Sequence, residues 1–281
     1  MPISESMAIR NGTSEPDSFH NFFEIWVSEQ SQYLQELISA SQHHKQSSNI
    51  GSEDDTVILS PLIGRVINHY EQYYGAKSKW AKQDVFAMLS PSWRSSLEDA
   101  FMWIGGWRPS MAFHLLYSKS GLQLEKKFTV LVRGFSSGDL GDLSPSQLNQ
   151  VDALQRRTIV EEKETTEKMA ELQETVADSS MVELSHVVSE LMRERGGSVN
   201  GVEEERVEST LGPKEEGLEE ILQKADDLRL RTLKAILEVL TPIQAVHFLI
   251  AAAELHLRLH DWGKRRDDVV RQHRGTGRTE R

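Results

Sequence analysis

Apolar residues recur every three or four positions along much of the chain, which is the spacing of amphipathic helices. These stretches are separated by polar segments, and no segment shows the sustained alternation of a half-buried strand. The pattern therefore predicts an all-α protein built as a multi-helix bundle. The stretches with helical spacing are 19–38, 60–70, 144–178, 218–240 and 243–262.

Three predicted helix starts have the chemistry of a capping box. In this motif a Ser or Thr side chain and a Glu or Gln three residues later satisfy each other's free backbone amides. In the second and third cases a proline occupies the first helical position, where its missing N–H costs nothing. The pairs are Ser95 with Glu98, Ser144 with Gln147, and Thr241 with Gln244.

Three segments lack an apolar period and are predicted to be disordered. The first is the N-terminal segment 1–17, and the last is the basic tail 269–281. Between them, residues 193–217 combine glycine, proline and a block of glutamates, a composition typical of a solvated acidic linker. The sequence thus predicts one helical domain over 18–268, interrupted by this linker.

The composition excludes several kinds of site and binding partner. The 281 residues include no cysteine, which excludes disulfides, thiolate metal sites and cysteine nucleophiles. No stretch approaches a signal peptide or a membrane span, so we expect a protein that is neither secreted nor inserted in a membrane. The formal net charge of −11 disfavours general binding to nucleic acid, because phosphates would meet a like-charged surface.

Three segments resemble the domain shared by the plant Delay of Germination family and the C-terminal halves of TGA bZIP transcription factors. They are SPSWRSSLEDAFMWIGGWRPSMAFHLLY, LSPSQLNQVDALQRRTIVEEKETTEKMAELQE and KADDLRLRTLKAILEVLTPIQAVHFLIAAAELHLRLHDWGKRRD. The similarity extends over about 19–268 apart from the acidic linker. TGA factors have a basic region and leucine zipper before this domain, whereas only about eighteen dissimilar residues precede it here. The resemblance is therefore to the stand-alone Delay of Germination type, and no direct sequence-specific DNA binding is expected.

The resemblance implies a regulator of seed maturation, dormancy and abscisic-acid response in the nucleus, the cytoplasm or both. Some members of the family bind type 2C protein phosphatases, and some bind haem, so both are expectations for this chain. A homodimer is compatible with the resemblance. Two alternatives remain open: a transcriptional module that acts with DNA-binding partners, and a developmental factor of the pollen-aperture kind.

His256 and His260 are the candidate ligands for haem iron. They are one helical turn apart in ELHLRLHDWG, close enough to offer nitrogen to one metal centre, and this segment resembles the haem-binding members. Two ligands on one helix cannot easily occupy opposite axial positions of one haem. One histidine would therefore be axial, and the other would be an alternate ligand, a hydrogen-bond partner or the ligand of a haem shared across a dimer. From spacing alone, ordinary packed histidines are the simpler interpretation.

Other motifs favour structural roles. The paired glycines before Arg108 are predicted to end one helix with positive φ, and Pro109 to start the next. Arg108 is expected to pair with a carboxylate, with Glu98 and Asp99 as candidates. The segment ELHLRLH lacks the glutamate of the H-E-x-x-H motif of zinc metalloproteases. No pair of carboxylates in differing environments, as acid–base catalysis requires, can be identified. The sequence therefore predicts a binding protein and not an enzyme.

Overall fold

The computed structural model describes residues 15–46, 53–130, 140–195 and 201–276. Within these ranges the chain is helical almost throughout, and the predicted all-α, multi-helix fold is confirmed. The helices are α1 (Glu15–Gln46), α2 (Glu53–Ala81), α3 (Val85–Leu89), α4 (Ser96–Asp99), α5 (Met111–Val130), α6 (Pro145–Glu174), α7 (Ser179–Arg195), α8 (Gly201–Val239) and α9 (Pro242–Thr276). In the described part of the chain, no helix is long and apolar enough to cross a membrane.

All three predicted capping boxes form. The Ser95 and Ser144 boxes begin α4 and α6, and both hydrogen bonds of each box are present. At the start of α9, the Thr241 amide donates to Gln244 Oε1 over 3.0 Å, and the Gln244 amide donates to Thr241 Oγ1 over 3.4 Å. These starts are therefore fixed by contacts within four residues, which is why the sequence alone predicts them.

The prediction of disorder for the acidic linker is wrong over 193–195, which end α7, and over 201–217, where the chain forms the first half of α8. Glutamate is a good helix former, and Val207, Leu211 and Leu218 are half-buried at helical spacing. The Lys214 ammonium also donates to the Thr175 carbonyl and to Asp178 Oδ2, over 2.9 and 2.8 Å. Packing against neighbouring helices therefore supports a segment whose composition is that of a linker.

The predictions of disorder at the two ends of the chain are also wrong in part, because some of these residues are helical. Residues 15–17 belong to α1, and residues 269–276 continue α9. Near the start of that extension, Asp267 Oδ2 accepts the Ser96 amide over 2.8 Å, which ties α9 to the start of α4. Residues 1–14, 196–200 and 277–281, where disorder is also predicted, lie outside the described residues.

Two large hydrophobic clusters and a small one form the core, and α1, α2 and α8 contribute to both large clusters. The small cluster contains Trp103, Ala225 and Leu228. The larger cluster lies among α1, α2, α5, α8 and α9 and contains Phe113, Leu116 and Phe248. The second is rich in aromatic residues and surrounds Phe19 and Trp93. Three aromatic residues of α1 are buried in this second cluster: Phe19, Phe23 and Trp26.

Candidate functional site

A tight turn between α4 and α5 supports one side of the candidate site. The Trp103 amide donates to the Gly106 carbonyl over 2.7 Å, and the Gly106 amide donates back to the Trp103 carbonyl over 3.2 Å. Between them the backbone has positive φ, 45° at Ile104 and 65° at Gly105. A Cβ at Gly105 would lie 2.8 Å from the Met88 carbonyl oxygen, so only glycine fits.

Charged side chains converge on this turn from three other elements. The Lys77 ammonium of α2 donates to the Gly105 carbonyl over 2.8 Å and pairs with Asp226 of α8 at 3.0 Å. Arg229 of α8 also pairs with Asp226 and donates to the Trp103 carbonyl. Lys77, Asp226 and Arg229 are all buried. We call Lys77, Asp226, Arg229 and Arg94 the charge cluster.

Arg94 completes the charge cluster from the segment between α3 and α4. Its Nη2 donates to the Gly105 carbonyl over 2.8 Å. Burial lowers the pKa of Lys77 to about 7; Asp226 opposes this effect, while the charges of Arg229 and Arg94 add to it. The cluster therefore holds the turn in place, but its positive charges outnumber its single carboxylate.

A cavity of about 210 Å³ lies beside the charge cluster. Its walls come from α1, α2, α5, α8 and α9 and from the turn, and they are mainly aromatic and aliphatic. Lys77, Arg94 and Arg229 line one part of it, and His256 lines another. The apolar lining includes Phe23, Trp26, Tyr70, Tyr73, Phe248 and Leu259.

His256 is held in this cavity by a hydrogen-bond chain from α1 and α2. Its Nδ1 lies 2.7 Å from Gln30 Oε1, and Gln30 Nε2 donates to the Tyr70 hydroxyl over 2.9 Å. An amide oxygen can only accept, so Nδ1 carries the proton and the lone pair remains on Nε2. Burial lowers the pKa of His256 to about 4, so the imidazole is neutral at pH 7.

His260 makes a different set of contacts. Its Nδ1 lies 3.1 Å from Glu98 Oε2, and its ring meets Phe23 edge-on. The Ser95 amide and hydroxyl donate to the same Glu98 oxygen over 2.9 and 2.6 Å. Burial raises the pKa of Glu98, but the hydrogen bonds from His260 and Ser95 outweigh this effect and hold it at about 2. His260 thus joins α9 to α4.

The structure places the two predicted ligands in different surroundings. His256 lines the cavity, whereas His260 is not among the lining residues and is bonded to Glu98. The described residues contain no group of three His, Asp or Glu side chains arranged to hold a metal ion. His256 is therefore the better placed of the two to meet a ligand inside the cavity.

Arg108 pairs with a carboxylate as predicted, but the candidate partners Glu98 and Asp99 are wrong. Its guanidinium lies 3.5 Å from Glu162 of α6 and 5.4 Å from the centre of the Trp103 ring. Glu162 also accepts the Ser110 amide over 2.5 Å and the Ser110 hydroxyl over 3.0 Å. The partner is 54 positions away, and no local pattern indicates it.

The charge cluster was missed by sequence reasoning, although a signal for it exists. Asp226 and Arg229 lie on the apolar stripe of α8, between Leu222 and Leu233 at helical spacing. Lys77 occupies the same kind of position in α2, one turn after Tyr73. A charged residue in a core-facing position usually has a buried partner, so these positions indicate an internal ion pair.

Comparisons with a family model and with individual proteins identify the same family. A family model described as seed dormancy control, DOG1, matches residues 33–118. Protein DOG1-like 3 of Arabidopsis thaliana is 32% identical over 250 residues, covering 86% of this chain and 83% of the relative. Protein DOG1-like 4 of the same plant is 33% identical over 254 residues, covering 90% and 95%.

A transcription factor shares the same region at lower identity. Transcription factor TGA6 of Arabidopsis thaliana is 28% identical over 261 residues, which cover 91% of this chain and 63% of that protein. The similarity to the DOG1-like proteins is higher and extends over most of both chains. On this evidence the chain belongs to the DOG1-like family.

Proposed function

We propose that this protein is a non-enzymatic regulator of seed maturation and dormancy in the abscisic-acid response, acting through protein binding and through a ligand held at His256. The family description, seed dormancy control, and a relative named Protein RESPONSE TO ABA AND SALT 1, 25% identical over 249 residues, support the physiological part. The geometric observation that supports it best is the neutral, oriented imidazole of His256 in an aromatic cavity.

The donor chemistry at the cavity would suit haem held through one histidine nitrogen. His256 presents Nε2 while Nδ1 is held by Gln30, the arrangement in which a histidine usually binds a metal. Arg108, which is half-exposed, lines the cavity and pairs with Glu162, would supply a cation for a propionate. Bound haem would supply redox- and gas-sensitive iron chemistry.

Space limits how haem could enter. The cavity of about 210 Å³ is below the roughly 300–1,000 Å³ usual for small-molecule sites. Accommodation of a haem would therefore require the walls of the cavity, α1 among them, to move apart. Because α1 is one wall of the cavity, such a movement would also alter the outer face of α1, where Ile25 is 61% exposed. This link supports a haem-dependent change in partner binding.

A haem titration with single variants tests the ligand part. A saturable Soret band is expected for the wild-type protein, largely lost in His256→Ala and weakened in His260→Ala, which disturbs α9 without removing the axial nitrogen. His186→Ala is the matched control, because that side chain is 69% exposed on α7. Equal, unsaturable signals from all four proteins would overturn haem binding at this site.

The partner part is tested by direct binding to a type 2C protein phosphatase, with and without haem. Saturable binding that changes with haem in the wild type, but not in His256→Ala, is the expected result. Sedimentation of the same samples reports whether the protein is a homodimer. Absence of binding under both conditions would exclude the phosphatase as a direct partner.

A transcriptional module is the second candidate function. Its support is the similarity to TGA6 and to transcription factor HBP-1b(c1) of Triticum aestivum, which is 28% identical over 240 residues. In that case the protein would act in the nucleus through a DNA-binding partner, whereas the phosphatase role allows the nucleus and the cytoplasm. A salt-sensitive mobility shift of DNA by the isolated protein would favour direct contact with DNA, and its absence would favour action through a partner.

A further inference from the structure

The charge cluster leaves positive charge next to the cavity. Lys77, Arg94 and Arg229 all line the cavity, and all three donate to carbonyls of the Trp103–Gly106 turn. Asp226 is the one carboxylate within the cluster. Glu98, held by Ser95 and His260, is a second carboxylate in the lining, so three cationic side chains of the cluster face two carboxylates. Buried charges are normally balanced, so this end of the cavity favours an anion.

Arg94 has unused capacity to bind that anion. Its Nη2 bonds to Gly105 and lies 3.4 Å from the Tyr73 hydroxyl, whereas its Nη1 is buried without a hydrogen-bond partner among the described residues. A buried donor left without a partner destabilises the fold, and more so when it belongs to a charged group. A guanidinium matches the two oxygens of a carboxylate in geometry and charge.

The rest of the cavity suits an apolar body of limited size. Aromatic rings from α1 and α2 face it, together with aliphatic side chains of α5 and α9. A dry protein cavity of about 150 Å³ is enough to bind benzene. The volume of about 210 Å³ here therefore admits one six-membered ring with a carboxylate attached.

We propose that this cavity is a binding site for a small monocyclic organic acid, whose ring lies among the aromatic side chains and whose carboxylate binds Arg94. The site goes beyond the proposed function, because it requires neither iron nor a ligand nitrogen from His256. Its ligand would stabilise the folded protein by occupying a void and by pairing the free guanidinium nitrogen.

Benzoate is the probe, and uncharged or cationic molecules of the same size are its controls. Calorimetry and thermal unfolding of the haem-free wild-type protein should show saturable binding of benzoate. Benzyl alcohol and benzylamine should bind at least about tenfold more weakly, because neither can pair with a guanidinium. Equal binding of the three probes, or no saturable binding of benzoate, would overturn the proposal.

Variants then locate the carboxylate. Arg94→Gln should weaken benzoate binding at least about tenfold, and Arg94→Lys should recover part of the loss by restoring the charge. Arg65→Gln is the matched control in α2, since Arg65 is 55% exposed and pairs with Glu36 on the surface. Unchanged binding in a folded Arg94→Gln protein would refute the assignment; if that variant does not fold, the series of probes on the wild type decides.

This experiment is independent of the haem titration. It is read by heat and unfolding temperature without haem, whereas haem binding is read from the Soret band. A negative result in one experiment therefore does not decide the other.

Discussion

At the scale of single residues, the buried carboxylate of Asp226 balances the charges of two buried cationic side chains. It is the partner of both Lys77 and Arg229, and all three side chains are almost completely buried. Removal of one member of a buried ion pair leaves the other charges without compensation, which costs more than the pair contributes when intact. The neighbouring Asp227 is exposed and bonds only to Gln223 in the described residues.

Asp226→Asn is therefore expected to lower the free energy of unfolding by about 3–5 kcal/mol, since the variant keeps the shape of the side chain but removes its charge. Asp227→Asn, at the next position of the same helix, should change it by less than about 0.5 kcal/mol. Urea unfolding followed by circular dichroism measures both. A similar small effect of the two substitutions would show that Lys77 is neutral and Arg229 is satisfied by the turn carbonyls alone.

Protonation of His256 is expected to destabilise the fold. Burial lowers its pKa to about 4 from 6.5, so the unfolded chain takes up a proton at a higher pH than the folded chain does. The free energy of unfolding should then fall as the pH drops from about 6.5 towards 4, by on the order of 3 kcal/mol from this residue. Burial lowers the pKa of His69 to about 4 as well, and His69 adds to the same fall.

Unfolding measured across this pH range checks the prediction. His256→Gln should show a smaller fall than the wild type, because one of the two imidazoles with a lowered pKa is gone. His186→Gln, on an exposed surface, should retain the whole fall. An identical pH dependence in all three proteins would mean that His256 titrates normally in the folded state.

At the scale of helices, short polar motifs both begin elements and join them to each other. The Ser95 capping box begins the four-residue α4, and its Glu98 also binds His260 of α9. Gln147 of the α6 box donates to Gln244 of the α9 box over 2.7 Å. A motif that local sequence predicts as a helix start is thus also a contact between helices, which local sequence does not show.

A double-mutant cycle between Glu98 and His260 measures the junction of α4 with α9. Substitution of each residue by glutamine, singly and together, should give a coupling energy of about 1–3 kcal/mol, because the pair is buried and hydrogen-bonded. The same cycle on the exposed pair Glu36 and Arg65 should give about 0–1 kcal/mol. Coupling at Glu98 no greater than at the surface pair would assign His260 a packing role only.

At the scale of the whole molecule, three long helices connect the two hydrophobic clusters. α1, α2 and α8 each place residues in both, and Tyr70 packs against both. The aromatic cluster therefore cannot unfold while these helices remain in place around the larger one. The cavity and the charge cluster lie among the same helices, so the integrity of the site depends on both clusters.

Substitutions in either cluster should accordingly shift one common unfolding transition. Leu116→Ala in the larger cluster should cost about 2–5 kcal/mol, and Phe19→Ala in the aromatic cluster about 3–5 kcal/mol. Phe86→Ala, where the side chain is 54% exposed, should have little effect. Calorimetry that resolves two transitions, each shifted by only one of the first two variants, would contradict a single cooperative unit.

The helical class, the capped starts of α4, α6 and α9, and the apolar faces that form the core all follow from the order of residues along the chain. These features depend on the period of the apolar residues and on hydrogen bonds within four positions, both of which are visible in the printed order of residues. The family resemblance was also readable from contiguous segments. His256 and His260 were identified as candidates in this way, and their role as haem ligands stays a prediction.

Which polar groups meet depends on how the helices pack. Glu162 pairs with Arg108 across 54 positions, and Asp226 pairs with Lys77 across 149. The helical state of 201–217 likewise depends on contacts with α6 and α7, which outweigh a composition typical of linkers. A buried charge needs a partner close to it in space. Which residues come close depends on how the helices pack, and the order of residues does not show this.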